Sequence, residues 1–218
     1  MTKKKARILV VDDHPIIRDG LAALIGLEPD LEICGRVADA ATALKRIAED
    51  PPDLAIVDIT LGGGNGIELI KQIKASHEEV STLVFSMHDE KLYAERALRA
   101  GAKGYVNKSS PSEEVVVAIR RVLDEKIHLS DEMSELLLNR VVQGSAEEAD
   151  LGGIDSLSDR EMEVFELIGR GLTTRTIADR LNLSVKTIET HREKIKVKLG
   201  LSNNNELIRR AVRWVETL

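Results

Sequence analysis

Residues 8–14 read ILVVDDH, and residues 54–61 read LAIVDITL. Each is a short apolar run that meets acid: Asp12 and Asp13 close the first, and Asp58 interrupts the second. Apolar runs of this length without polar alternation are what strands covered on both faces require. The same reading predicts strands at Arg7–Val11, Leu31–Val37, Leu54–Ile59, Ser81–Ser86 and Gly104–Val106. Helical patterns near 15–27, 39–49, 65–76, 90–100 and 112–125 alternate with them, with Asp39 and Ser112 as start signals. Five βα units in a row predict an α/β fold: a five-stranded, doubly wound parallel sheet with helices on both faces.

The tail lacks strands. Residues 127–142, IHLSDEMSELLLNRVV, read as a short amphipathic helix with Met133, Leu136, Leu137 and Val141 at helical spacing. Residues 143–153, QGSAEEADLGG, are small, acidic and glycine-rich, the composition of a linker. Four helices are predicted beyond it, near 159–170, 175–182, 185–199 and 204–217. Their caps are explicit: Ser158 with Glu161 as a capping box, then Thr174, Ser184, and Asn203 with Glu206. Gly171 and Gly200 stand where helix C-terminal glycines belong. The predicted division is therefore an α/β domain at 1–126, a linker with a short helix at 127–153, and a smaller all-α domain at 154–218.

Composition narrows the classes. The 218 residues are 43% hydrophobic and 31% charged, the mixture of a soluble globular chain rather than a disordered or membrane-embedded one. No apolar run approaches the roughly 18 residues of a membrane span. A single cysteine, Cys34, excludes an internal disulfide and fits a reducing cytoplasm. The net charge of −6 is unevenly spread. Residues 1–126 carry 18 Lys/Arg against 21 Asp/Glu, residues 127–155 carry 1 against 7, and residues 156–218 carry 12 against 9. The basic end permits a nucleic-acid partner that the overall charge would hide.

In open α/β sheets, ligands bind at the carboxyl ends of the strands. There the sequence places Asp12 and Asp13, Asp58, Ser86 and Lys108. Three carboxylates in one crevice repel one another. A hard divalent cation with few carboxylate ligands, Mg²⁺, relieves that repulsion. A carboxylate beside it is a nucleophile toward phosphorus, and a hydroxyl and an ammonium opposite can hold the phosphoryl oxygens. An aspartate-nucleophile phosphatase is the enzyme alternative. Its D-x-D pattern would need an acid where Thr60 stands. The five histidines, His14, His77, His88, His128 and His191, show no ligand spacing.

The stretches ILVVDDH (8–14), LAIVDITL (54–61), LVFSMHDE (83–90) and RAGAKGYVNKSS (99–110) resemble the receiver domains of two-component response regulators. The resemblance covers about residues 6–126 and implies a flavodoxin-like fold. It implies that Asp58 accepts a phosphoryl group from a sensor histidine kinase, with Mg²⁺ held by Asp12, Asp13, Asp58 and the backbone carbonyl of Thr60. Ser86 and Lys108 match the phosphoryl-sensing hydroxyl and lysine, and Tyr105 the aromatic switch. Three positions depart from the pattern. Gly62 replaces the usual proline within LGGGNG (61–66). Met87 is bulky and is expected to restrict water at the phosphorylated site. Asn107 replaces an apolar residue. A receiver that is constitutively active, or is phosphorylated only by small donors, is the alternative within this class.

In the tail, helices 175–182 and 185–199 joined at Asn182–Ser184 have helix-turn-helix spacing. Ile188, Ile195 and Leu199 share one arc of the second helix, while Lys186, Glu189, Thr190, Glu193 and Lys194 share the opposite one. Arg192, Lys196 and Lys198 are assigned to the flanks, next to phosphates. The stretches LSDREMEVFELIGRGL (157–172) and TIADRLNLSVKTIETHREKIKVKLGL (176–201) resemble the LuxR-type helix-turn-helix. Joined to a receiver, this marks the NarL/FixJ family of response regulators. The resemblance implies that Glu189, Thr190 and Glu193 meet base edges and that Lys186, Thr187 and Arg192 lie near the DNA backbone. The implied function is control of sequence-specific DNA binding and transcription by phosphorylation, without catalytic turnover beyond slow self-dephosphorylation. A homodimer on a two-fold DNA operator is expected, with Ile208, Ala211, Val212 and Val215 as interface candidates.

Overall fold

The computed structural model describes residues 4–62, 64–143 and 153–216. The chain forms two compact units that divide between Leu136 and Leu137.

The first unit is a five-stranded parallel sheet in the order β2-β1-β3-β6-β7. Its strands are β1 (Ala6–Val11), β2 (Leu31–Val37), β3 (Leu54–Val57), β6 (Ser81–Ser86) and β7 (Gly104–Asn107). The helices between them are α1 (Pro15–Gly26), α2 (Ala40–Glu49), α3 (Gly66–Ser76), α4 (Glu90–Ala100) and α5 (Ser112–Leu123). A hairpin of two-residue strands, β4 (Thr60–Leu61) and β5 (Gly64–Asn65), follows β3 where the sequence reading had only a glycine-rich loop. β3 also stops at Val57 rather than Ile59, because the chain turns there into this hairpin. Asp39 caps α2 as expected. Ser112 is instead the first helical residue of α5, with Pro111 at the cap.

Both faces of the sheet are dry. Ile8, Val10, Leu54, Ile56, Leu83, Phe85 and Val106 form one cluster with Leu21 and Ile25 of α1 and Val115, Ile119 and Val122 of α5. The alternate residues Leu9, Val11, Ala55, Val57, Val84 and Tyr105 are also buried. That double burial explains the uninterrupted apolar runs of the sequence. Register aligns the strand ends: Val11 pairs with Val57, Val57 with Val84, and Ser86 with Asn107. Asp12 and Asp58 therefore emerge at one level, beside the point where the strand order reverses at β1, while β6 and β7 run on two residues further to Ser86 and Asn107.

The boundary drawn at residue 126 falls short of the first unit. Residues 127–130 lie along the outer edge of β7: His128 N–H donates to Lys103 O at 3.0 Å, and Tyr105 N–H donates to His128 O at 2.9 Å. α6 (Asp131–Gln143) begins directly after, and Met133 is fully buried. The expected linker at 143–153 falls almost wholly outside the described residues.

The second unit holds a 3-10 turn (Ile154–Ser156), α7 (Asp159–Gly169), α8 (Thr174–Arg180), α9 (Val185–Leu199) and α10 (Asn204–Glu216). Ser158 and Glu161 form the full capping box, and Ser184 caps α9. Asn203 Oδ1 accepts from Glu206 N–H, capping α10. The cap of α8 is Thr173, one residue before the expected Thr174. Phe165 and Trp214, at 5.4 Å between ring centres, join α7 to α10. At Gly169 an added Cβ would lie 2.4 Å from Ala211 O, so these helices cross closer than any side chain would permit.

Candidate functional site

The shared register of β1, β3 and β6 determines the first site. Asp58 N–H donates to Val11 O at 2.9 Å, and Lys108 N–H donates to Ser86 O at 2.8 Å, so the loops leaving the strands are stitched together at their first residue. Asp12, Asp58 and Ser86 are buried, and Asp13 is partly open. The Lys108 ammonium lies 2.5 Å from Asp58 Oδ2 and 2.6 Å from Asp12 Oδ2. Burial pushes the Asp58 carboxyl above the ordinary carboxylate range, against the opposing pull of Lys108. Gly66 supports this floor. A Cβ there would sit 1.9 Å from Asp58 O, so only glycine lets α3 start against the acid's own backbone.

The cluster includes one residue that sequence spacing did not mark. His14 Nδ1 lies 2.7 Å from Asp13 Oδ1 and 3.3 Å from Asp12 Oδ1. One ligand atom each from Asp12, Asp13, His14 and Asp58 fit within 4.8 Å of one another. Asp58 Oδ1 is buried and accepts no hydrogen bond from the described residues. A buried carboxylate oxygen without a donor is the place a hard cation or a phosphoryl group can satisfy.

Thr60 sits in β4, and its hydroxyl meets His88 Nε2 at 2.9 Å. Tyr105, buried, donates its hydroxyl to His88 O at 2.9 Å, and Asn107 Nδ2 donates to the same oxygen at 3.0 Å. The unusual Asn107 thus ties β7 to the loop after Ser86. Its Oδ1 accepts from Ser109 N–H, shaping the turn that delivers Lys108. Met87 is 68% exposed, and so the expectation that its bulk shields the site gives way: the chain turns it outward to solvent.

The second site lies on α8 and α9. Lys186, Glu189, Thr190, Glu193 and Lys194 are exposed along α9, while Ile188 and Ile195 are buried. The Thr190 hydroxyl donates to Lys186 O at 3.0 Å and is thereby engaged with its own helix. Thr187 is half-buried, its N–H donating to the Ser184 cap. Arg192 does not lie on a flank. It falls four residues after Ile188 and three before Ile195, on the buried arc, where its Nη1 donates to Thr174 Oγ1 at 3.0 Å. Lys196 pairs with Glu193 at 2.9 Å, and Lys198 reaches Glu161 Oε2 at 2.6 Å and Ser156 O at 2.9 Å. Burial opposes ionisation of Glu161, but its bonds to Lys198 and Ser158 outweigh that and hold its carboxyl below the ordinary range. Among the interface candidates, Ala211 is fully buried against α7, a correction that follows from its contact with Gly169. Val212 and Val215 are half-buried, and Ile208 is 41% exposed.

An α/β unit with an acidic crevice at its strand ends, followed by a helix-turn-helix, defines a signal-receiving DNA-binding protein. Residues 8–120 match the response regulator receiver domain, and residues 155–211 match the bacterial regulatory proteins of the luxR family. The oxygen regulatory protein NreC of Staphylococcus epidermidis is 32% identical over 211 residues, covering 95% of this chain and 97% of that protein. A LuxR-family two-component response regulator from Aurantimonas is 37% identical, with a TM-score of 0.60 over 64% of this chain and 99% of its own. RcsB of Salmonella typhimurium shares the fold at 23% identity, with a TM-score of 0.65 over 96% of this chain and 98% of its own. The chain belongs to the NarL/FixJ family of two-component response regulators, with a receiver domain and a LuxR-type DNA-binding domain. No described helix is long and apolar enough to cross a membrane.

Proposed function

We propose that Asp58 is the phosphoacceptor of this regulator and that its phosphorylation by a sensor histidine kinase controls binding to an operator. The observation that carries the assignment is the convergence of Asp12, Asp58 and Lys108 within hydrogen-bond distance at register-matched strand ends. Asp58 Oδ1 attacks phosphorus as the bond to the donor's nitrogen breaks. Lys108, already on Oδ2, neutralises charge gathering on the phosphoryl oxygens. Asp12, Asp13, Asp58 and the Thr60 carbonyl would hold Mg²⁺, which supplies neutralisation of the phosphoryl charge. Ser86, fully buried beside the crevice, is the hydroxyl that senses the new group, and Tyr105 relays its movement. The acyl phosphate is lost by slow self-dephosphorylation, so the domain acts as a timer rather than a turnover enzyme.

In the second unit, Glu189, Thr190 and Glu193 read base edges, and Lys186 and Lys194 neutralise phosphates, with Thr187 close to the DNA backbone. The engaged hydroxyl of Thr190 leaves its methyl free for a thymine methyl. Lys196 and Lys198 face phosphates only on leaving their glutamate partners. Ile208, Val212 and Val215 support a homodimer on a two-fold site in the cytoplasm. The assignment is tested by incubating the full chain with a small phosphodonor and Mg²⁺ and mapping the modified peptide. The label is expected on Asp58 and absent from Asp58→Asn; a label retained in that variant overturns it.

A further inference from the structure

Residues 127–133, IHLSDEM, are bound to the first unit at three separate places. The first is the edge of β7, the outermost strand, where His128 exchanges backbone bonds with Lys103 and Tyr105. Gly104 makes that pairing possible: a Cβ there would lie 3.0 Å from His128 O and 2.9 Å from Leu83 Cδ1. The second place is the start of α4, where Glu90 Oε1 accepts from Ser130 N–H at 3.0 Å and Lys91 Nζ meets Glu132 Oε1 at 2.7 Å. The third is the interior, which takes Met133 completely. Ser130 Oγ in turn accepts from Met133 N–H at 3.1 Å, starting α6. α6 then runs across the division between the two units.

α4 begins near the crevice, and β7 ends at it. Glu90 and Lys91 follow Ser86 by four and five residues, through His88 and the Asp89 cap of α4. Tyr105 holds the loop and the edge segment at once, its hydroxyl on His88 O and its N–H on His128 O. A shift of the loop after Ser86 that moves His88 O, Glu90 and Lys91 strains the ties on Ser130 and Glu132 and, through Tyr105, the pairing with His128.

We infer that residues 127–133 are a strap, closed over β7 and α4 while Asp58 is unmodified and released when it is phosphorylated, so that α6 transmits the signal. This rests on the phosphoacceptor reading above. The difference it makes is that the receiver's output is detachment of its own C-terminal segment.

The test is amide hydrogen exchange on the full chain, with and without beryllium fluoride and Mg²⁺ as the phosphoryl mimic. Release predicts that the Tyr105 and His128 amides exchange about tenfold faster or more with the mimic, while the 86–89 loop also changes. A changed loop with unchanged strap amides overturns the strap and leaves the phosphoacceptor standing. No change at either place overturns both. In a second arm without the mimic, Lys91→Glu sets like charges at the clasp and raises His128 exchange about two- to fivefold, the range of an exposed pair. Adding Glu132→Lys restores it. Equal exchange in wild type, the single and the double variant overturns the clasp.

Discussion

Lys108 lies 2.5 Å from Asp58 and 2.6 Å from Asp12, a single ammonium shared by two buried carboxylates. Removing it leaves two buried carboxylates facing each other, a loss of about 3 kcal/mol for a broken buried pair. A divalent cation can take over part of that role. Lys108→Ala is therefore expected to lower the thermal midpoint in chelator and to regain most of it in Mg²⁺, followed by circular dichroism. A variant equally destabilised under both conditions would show that Mg²⁺ does not enter this cluster.

Arg192 is predicted to orient α9 without touching DNA. Its guanidinium is buried and bonded to Thr174 through Nη1, so Arg192→Lys gives up the planar donor that joins α9 to α8. Operator affinity is expected to fall severalfold while its salt dependence stays that of wild type. A phosphate contact at Arg192 would instead flatten the log–log salt slope by about one unit.

The exposed arc of α9 makes a separate prediction. Lys194→Ala is expected to weaken binding to all sequences alike and to flatten the salt slope. Glu193→Ala is expected to change which bases are preferred, on the scale of ~1–3 kcal/mol per lost contact. The same variant frees Lys196 from its pair at 2.9 Å, so non-specific binding rises as specificity falls. Binding-site selection that returns identical preferences for wild type and Glu193→Ala contradicts this placement.

Acid acts on the edge segment through His128. Burial pushes its imidazole below the ordinary 6.5, with Arg121 adding to the shift and Glu114 and Glu90 opposing it. A depressed histidine stabilises the folded state above its unfolded pKa, and that contribution is lost as pH falls through the folded value. From about pH 7.5 to about pH 5.5, protection of the His128 amide, corrected for intrinsic exchange, is expected to drop in wild type. It should stay level in His128→Asn. Parallel behaviour of the two proteins would assign the change to another group.

Much of this architecture is legible in the chain because its signals are local and strong. Apolar runs ending in acid mark strands buried on both faces. Ser158 with Glu161, and Ser184, mark helix starts that the structure keeps. What escaped depends on partners distant in sequence. Arg192 reads as a flanking charge until Thr174, eighteen residues earlier, is seen to hold it. His14 has no ligand spacing, yet it stands beside Asp13, and adjacency to the acid pair was the available sign. The 127–130 segment has no strand pattern of its own, because the open edge of β7 and the bare Gly104 create the pairing. Ala211 reads as an interface candidate on the apolar face of the last helix, and only the close crossing at Gly169 shows that its own domain covers it.

Asp58 phosphorylation is expected to govern DNA affinity directly. The measurement is operator binding by the full chain, wild type and Asp58→Asn side by side, with and without a small phosphodonor in Mg²⁺. Wild type is expected to bind about tenfold or more tighter with the donor, the scale of a typical coupling free energy, and Asp58→Asn to show no response. A wild-type affinity indifferent to the donor, or a response that survives in Asp58→Asn, would contradict it.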